Sequence, residues 1–151
     1  MDLSCELYLT VKGVKPGCVV RTWDPEALLE SLGLPLIPYA LGDGVAFLSR
    51  DRRRVEALQT RPAKNIHELV GWFCGYPECC VEEFLRHGAL LPALKAYRGK
   101  GLDPYVLSVD AESVRSPYHI NWIPCSPSCV RTARLVRLYR DECRCGGARL
   151  G

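Results

Sequence analysis

Nine cysteines punctuate this chain, and their grouping limits the fold more than any other feature. Cys74, Cys79 and Cys80 form one group, Cys125 and Cys129 a second, and Cys143-Arg144-Cys145 a third. The first two groups each accompany a proline that can begin a helix. Pro77-Glu78-Cys79 and Pro127-Ser128-Cys129 both place a thiol two residues after the proline, and Cys74 and Cys125 precede them. A helix N-terminus stabilises negative sulfur through its unpaired N–H groups and its dipole. A loop thiol together with a first-turn thiol, supplied twice, makes a claw that a fold can close around a soft metal. Zinc and an iron–sulfur cluster are the two occupants such a site suits. The spacings Cys-x4-Cys-Cys and Cys-x3-Cys match neither the zinc-knuckle Cys-x2-Cys nor the bacterial ferredoxin run.

The candidate ligands are therefore Cys74, Cys79 or Cys80, Cys125 and Cys129, with His119, six residues before Cys125, as a further nitrogen donor. Cys80 flanks the apolar stripe Val81, Phe84, Leu85 of its helix, whereas Cys79 lies on the opposite face, so a site beneath the helix takes Cys80 and one outside it takes Cys79. Structural disulfides, plain burial of small apolar side chains and a catalytic thiol are the other uses of these cysteines. Cys5 and Cys18 read as packing residues or a disulfide across a hairpin. Cys143 shares an apolar helix face with Leu135, Val136 and Tyr139, which suggests burial or a staple to the body. The Cys143/Cys145 pair can also chelate, or supply replacement ligands.

Patterning predicts an α+β fold: a small N-terminal α/β layer, residues 1–62, packed with a helical cysteine-rich half, residues 63–151, in one compact unit. Cys5 to Val11 alternates at period two and reads as a strand, followed by turns and Cys18-Val19-Val20. Asp24-Pro25-Glu26 opens a helix that Gly33 stops. Leu36 to Ala40 and Val45 to Leu48 form a hairpin around Gly42-Asp43-Gly44, and Ser49 caps the charged helix beyond it. In the second half, Asn65 with Glu68 opens a helix ended by Gly75. Pro77 to His87 is closed by Gly88, Leu90 to Tyr97 is helical, Tyr105 to Leu107 and His119 to Ile123 are short strands, and Ser126-Pro127 opens the last helix.

With 151 residues, 48% hydrophobic and 25% charged, the chain can bury a core and is neither disordered nor fibrous. No apolar run approaches the roughly 18–20 residues of a membrane span, and no basic leader precedes an apolar stretch, so a cytoplasmic, non-membrane protein is expected. The formal net charge of +3 demands no nucleic-acid or membrane partner. Arg131, Arg134, Arg137, Arg140 and Arg144 do form a stripe along the last helix, opposite Thr132, Leu135, Val136 and Tyr139. Such a stripe can track phosphates in RNA, although a solvated face on a chain with fifteen Arg and five Lys is the simpler account. One Gln, two Asn and one Met fit either a heat-adapted source or codon bias. Heat-adapted cytosolic proteins are the exception that keeps disulfides inside cells. Glu82-Glu83 are candidates for acid–base work beside the thiols, and no phosphate loop, nucleophile elbow or zinc-protease motif occurs.

Phe73-Cys74-Gly75-Tyr76-Pro77-Glu78-Cys79-Cys80-Val81, followed by His119 and Pro124-Cys125-Ser126-Pro127-Ser128-Cys129, resembles a family of uncharacterised, mainly archaeal proteins, domain of unknown function 483. Its members are similar in a Gly-Tyr-Pro-x-Cys-Cys helix start and a later Pro-Cys-Ser-x-x-Cys. The resemblance covers the second half and implies a cytosolic archaeal-type protein in which both motifs build one site. Three functions stand open: a small metal-binding protein of unknown reaction, a disulfide-stapled interaction module, and an RNA-binding accessory protein.

Overall fold

A computed structural model describes residues 2–3, 5–62, 65–89, 92–93, 95–96, 122–126, 128–143 and 148–149. It is an α+β mix of six described helices with a three-stranded and a two-stranded antiparallel sheet. The chain divides into two units. One is Glu6–Gly75, and the other joins Met1–Cys5 to Tyr76–Gly151. The division at Gly75 lies beyond Arg61-Pro62, so the helix opened by Asn65 belongs with the sheet.

The first unit opens with helix α1 (Cys5–Val11, its first residue outside the unit). The strand expected there is not formed. Leu7, Leu9, Thr10 and Val11 are all buried, so alternation over seven residues did not mark an exposed face. A short run buried nearly all round fits a helix as well as a strand. Thr10 Oγ1 donates back to the Glu6 carbonyl at 2.8 Å, one helical turn earlier. Strand β2 (Cys18–Arg21), helix α2 (Pro25–Leu32), strands β3 (Ile37–Gly42) and β4 (Val45–Ser49), and helices α3 (Arg52–Ala57) and α4 (Ile66–Cys74) follow.

Strand β4 is the centre of the sheet, ordered β2-β4-β3, with Cys18 opposite Leu48 and Tyr39 opposite Phe47. Ala46, Phe47 and Leu48 are fully buried, which explains their continuous apolar run. Asp43 and Gly44 make the β3–β4 turn with φ of 52° and 71°, the positive values that a two-residue turn of the favoured twist requires. Helix α4 packs on β2, and Phe73 meets Phe47 with ring centroids 4.8 Å apart. Gly17 permits this approach: a Cβ there would lie 2.5 Å from a Phe73 ring carbon.

Capping follows the expected chemistry in two of three cases. Asp24 accepts from the Ala27 N–H at 2.9 Å, and Asn65 from the Glu68 N–H at 3.1 Å. Ser49, however, is not the cap of α3. It ends β4, fully buried, where its hydroxyl donates to the Pro16 carbonyl at 2.6 Å and accepts from the Asp51 N–H at 3.0 Å. Asp51 caps instead, accepting from the Arg53 N–H at 2.9 Å. Arg54 Nη1 donates to the Trp72 carbonyl at 2.9 Å and thereby ties α3 to the end of α4.

In the second unit, strand β1 (Asp2–Leu3) pairs antiparallel with β5 (Ala148–Arg149). Helix α5 (Glu78–His87) and helix α6 (Val130–Glu142) are its long described elements. The last helix begins later than Ser126-Pro127 predicts, with Cys129 as its N-cap residue. Thr132, Val136, Tyr139 and Cys143 are its buried stripe, at helical spacing, with the Trp122 ring edge-on to Tyr139 at 6.5 Å. A disulfide joins Cys143 to Cys5, with Cα atoms 5.9 Å apart. Cys143 is thus the expected staple, but its partner corrects the pairing of Cys5 with Cys18, which is a free buried thiol on β2. No described helix is long and apolar enough to cross a membrane. The expected helix Leu90 to Tyr97 and strand His119 to Ile123 lie largely outside the described residues, and the strand Tyr105 to Leu107, Arg144 and Cys145 wholly so.

Candidate metal centre

Pro77 delivers the first two sulfurs. Its carbonyl accepts from the N–H groups of Cys80 at 2.9 Å and Val81 at 3.1 Å, closing the first turn of α5. Consecutive helical residues differ by about 100° around the axis, yet the Cys79 and Cys80 side chains turn toward one another. Their sulfurs stand 3.9 Å apart, Cys80 buried and Cys79 half-buried. The other two come from the approach to α6. Trp122, Ile123 and Pro124 are buried, Cys125 follows half-buried, and the Cys129 N–H donates to the Ser126 carbonyl at 3.2 Å as the chain turns into the helix.

The Cys129 sulfur lies 3.8 Å from that of Cys79 and 3.7 Å from that of Cys80, and all four sulfurs, Cys125 included, lie within 4.8 Å of one another. None of the four is in a disulfide. Four sulfurs each about 2.3 Å from a central zinc, at tetrahedral corners, stand about 3.8 Å apart. The three separations among Cys79, Cys80 and Cys129 match that spacing, and Cys125 lies within 4.8 Å of each of them.

The shell behind these sulfurs is ordered by Thr132, fully buried on α6. The Trp122 indole N–H donates to Thr132 Oγ1 at 3.0 Å, and that oxygen lies 3.3 Å from Cys80 Sγ. An indole N–H can only donate, so the threonine oxygen accepts from it and still has its own proton and a second lone pair with which to bond the sulfur, whichever of the two carries the shared proton. The Cys125 backbone N–H also donates to Cys80 Sγ, at 3.3 Å. Cys80 thus collects two hydrogen bonds at the most buried corner, as metal-bound thiolates do.

The thiols titrate very unequally. Burial pushes Cys80 far above its ordinary value, against the lowering by Thr132 and the Cys125 N–H. Burial, then hydrogen bonding with Cys129 and Cys79, raises Cys125 to about 11. Cys129 also feels burial, but the hydroxyl and N–H of Thr132 and the thiols of Cys125 and Cys80 outweigh it and bring it to about 7. Four sulfurs so close cannot all ionise without a cation among them. Cys79, Cys125 and Cys129 also border an open depression of about 570 Å³ with Glu78, Glu82 and Arg131.

Of the residues read from the sequence, Cys79, Cys80, Cys125 and Cys129 converge, so the choice between Cys79 and Cys80 resolves into both. Cys74 is not among them: it is the last residue of α4, buried in the first unit within electrostatic reach of Arg54. His119 lies outside the described residues. Glu83 pairs with His87 at 3.2 Å and with Arg86 at 2.9 Å. Thr132 and Trp122 were the site residues that spacing alone did not reveal. The one signal was a hydroxyl on an otherwise apolar helix face, three residues after Cys129. No family model, curated protein or solved structure matches the chain.

Proposed function

We propose that Cys79, Cys80, Cys125 and Cys129 bind a single zinc ion that locks the entrances of α5 and α6 together. The observation that carries this is the spacing of the sulfurs, 3.7, 3.8 and 3.9 Å among Cys79, Cys80 and Cys129, against about 3.8 Å for a tetrahedral tetrathiolate. An iron–sulfur cluster distributes its thiolates over several irons and so needs them further apart, which favours one ion over a cluster. Four thiolates close the shell and leave no position for a substrate, so the ion's work is structural. It supplies folding free energy to a unit with few long elements, since apparent binding energies of structural zinc reach roughly 10–16 kcal/mol. Reduced thiolates at the centre suit the cytoplasm, and the Cys5–Cys143 disulfide then suits a heat-adapted cell.

Elemental analysis of protein purified without chelators tests this directly. One zinc per colourless chain is expected, falling to near zero in Cys80→Ser, and cobalt replacement is expected to give the bands of tetrahedral thiolate coordination. A brown chromophore with several irons and sulfide, or a metal-free fold with four titratable thiols, would overturn it.

A further inference from the structure

We infer that the outer face of α6 binds the phosphate backbone of a nucleic acid. Arg131, Arg134, Arg137 and Arg140 are all exposed, opposite the buried stripe of Thr132, Val136, Tyr139 and Cys143. At three-residue intervals they step about 4.5 Å along the axis and span about 13.5 Å, winding obliquely across one face. From Val130 to Arg140 that helix contains no acid; Asp141 and Glu142 come only at its end.

Two observations separate this face from an ordinary solvated one. The first is pairing. Arg131, Arg134 and Arg137 make no ion pair among the described residues, and Arg137 only donates to the Ala133 carbonyl at 3.4 Å. Helix α5 shows the usual arrangement instead: acids lead, bases follow, and Glu83 pairs with Arg86 and His87. The second is polarity. A cation in the first turn of a helix opposes its dipole, and α6 puts Arg131 there. Arg131 borders the depression that Cys129 also lines, whereas Arg134 and Arg137 lie further along the helix. Helix propensity accommodates arginine at any of these positions, whereas an anionic ligand lying along the helix also explains why no acid accompanies them. Guanidinium forks match phosphate oxygens bidentately, and a periodic row of them matches a repeating phosphodiester better than it matches an isolated anion. Exposed Val130 and Leu138 on this face offer apolar contact to sugars and bases.

The surface deepens the zinc reading, because the ion would anchor the N-terminus of the helix that presents it, but its chemistry belongs to the arginines. The test is fluorescence anisotropy of the purified full chain with 20-nucleotide single-stranded RNA, single-stranded DNA and a DNA duplex across a salt series. Binding is expected with a log–log salt slope of about −3 for single strands, four contacts at about 0.7 each, or about −3.6 for the duplex. The double variant Arg134→Gln/Arg137→Gln should weaken binding at least tenfold and flatten the slope by about 1–2, with zinc content and helical circular dichroism unchanged. The ranking of the three probes then identifies the source of the phosphates. Absence of binding at low salt, binding indifferent to the double variant, or equal binding to anionic phosphatidylserine vesicles would each overturn the proposal. A metal-free chain that binds nucleic acid through these arginines would leave it standing while the zinc reading falls, so the two failures are distinguishable.

Discussion

Thr132 sits between the Trp122 indole and the Cys80 sulfur and hydrogen-bonds both. Thr132→Val keeps the volume but removes the hydrogen bond to Cys80 and strands the buried indole N–H. Outer-shell substitutions of this kind weaken metal binding about 10–100-fold. That loss is expected for Thr132→Val in chelator competition, with Thr132→Ser recovering most of it. Cys18 carries a prediction of a different kind. Burial, partly offset by Thr10, lifts its thiol from 9.0 to about 12. A folded pKa above the unfolded one means stability is intact below pH about 9 and drains as pH rises toward about 12. Denaturation midpoints of Cys18→Ala should therefore fall less between pH 8 and pH 11 than those of the parent, although the variant is weaker at pH 8 because of the cavity it leaves. Individual residues were legible when their chemistry was unambiguous, as with Cys125 and Cys129, whereas Cys74, read beside them, lies apart from the group. They were not when one side chain served two faces: Thr132 read as part of the apolar stripe, and adjacent Cys79 and Cys80 read as alternatives although a helix can turn both toward one centre.

Starts and stops of the elements were legible because they are local. Asp24, Asn65 and the left-handed glycines Gly33, Gly75 and Gly88 sit where cap chemistry put them. What failed at this scale failed through tertiary context. Cys5 to Val11 became α1 because it is buried nearly all round, so period two carried no information about a solvent face. Ser49 lost the cap of α3 to Asp51 because β4 continues through it and its hydroxyl bridges to Pro16. The two residues are consequently expected to separate in chemical denaturation. Asp51→Ala, which removes an exposed cap, should cost about 1 kcal/mol. Ser49→Ala, which takes from the part-buried Pro16 carbonyl and Asp51 N–H the buried hydroxyl that joins them, should cost about 1–3 kcal/mol, the larger loss of the two.

At the scale of the molecule, pairings distant in sequence were the hardest to read. Nothing local to Cys5 names Cys143, 138 residues away, and nothing in Asp2-Leu3 names Ala148-Arg149. A bridge closing so long a loop restricts the unfolded chain by up to about 5 kcal/mol in the chain-entropy treatment, and about 2–4 kcal/mol is usual. Cys143→Ser should lower the thermal midpoint by several degrees, measured with zinc held in excess so that the loss is not one of metal.

The bridge between Cys5 and Cys143 also makes a covalent ring of everything between them. A protease that cuts once anywhere inside that ring releases nothing: the two pieces migrate together on a gel until a reductant opens the bond. The molecule can thus be nicked and remain one particle, so its integrity in a cell would depend on thiol balance as well as on peptide bonds.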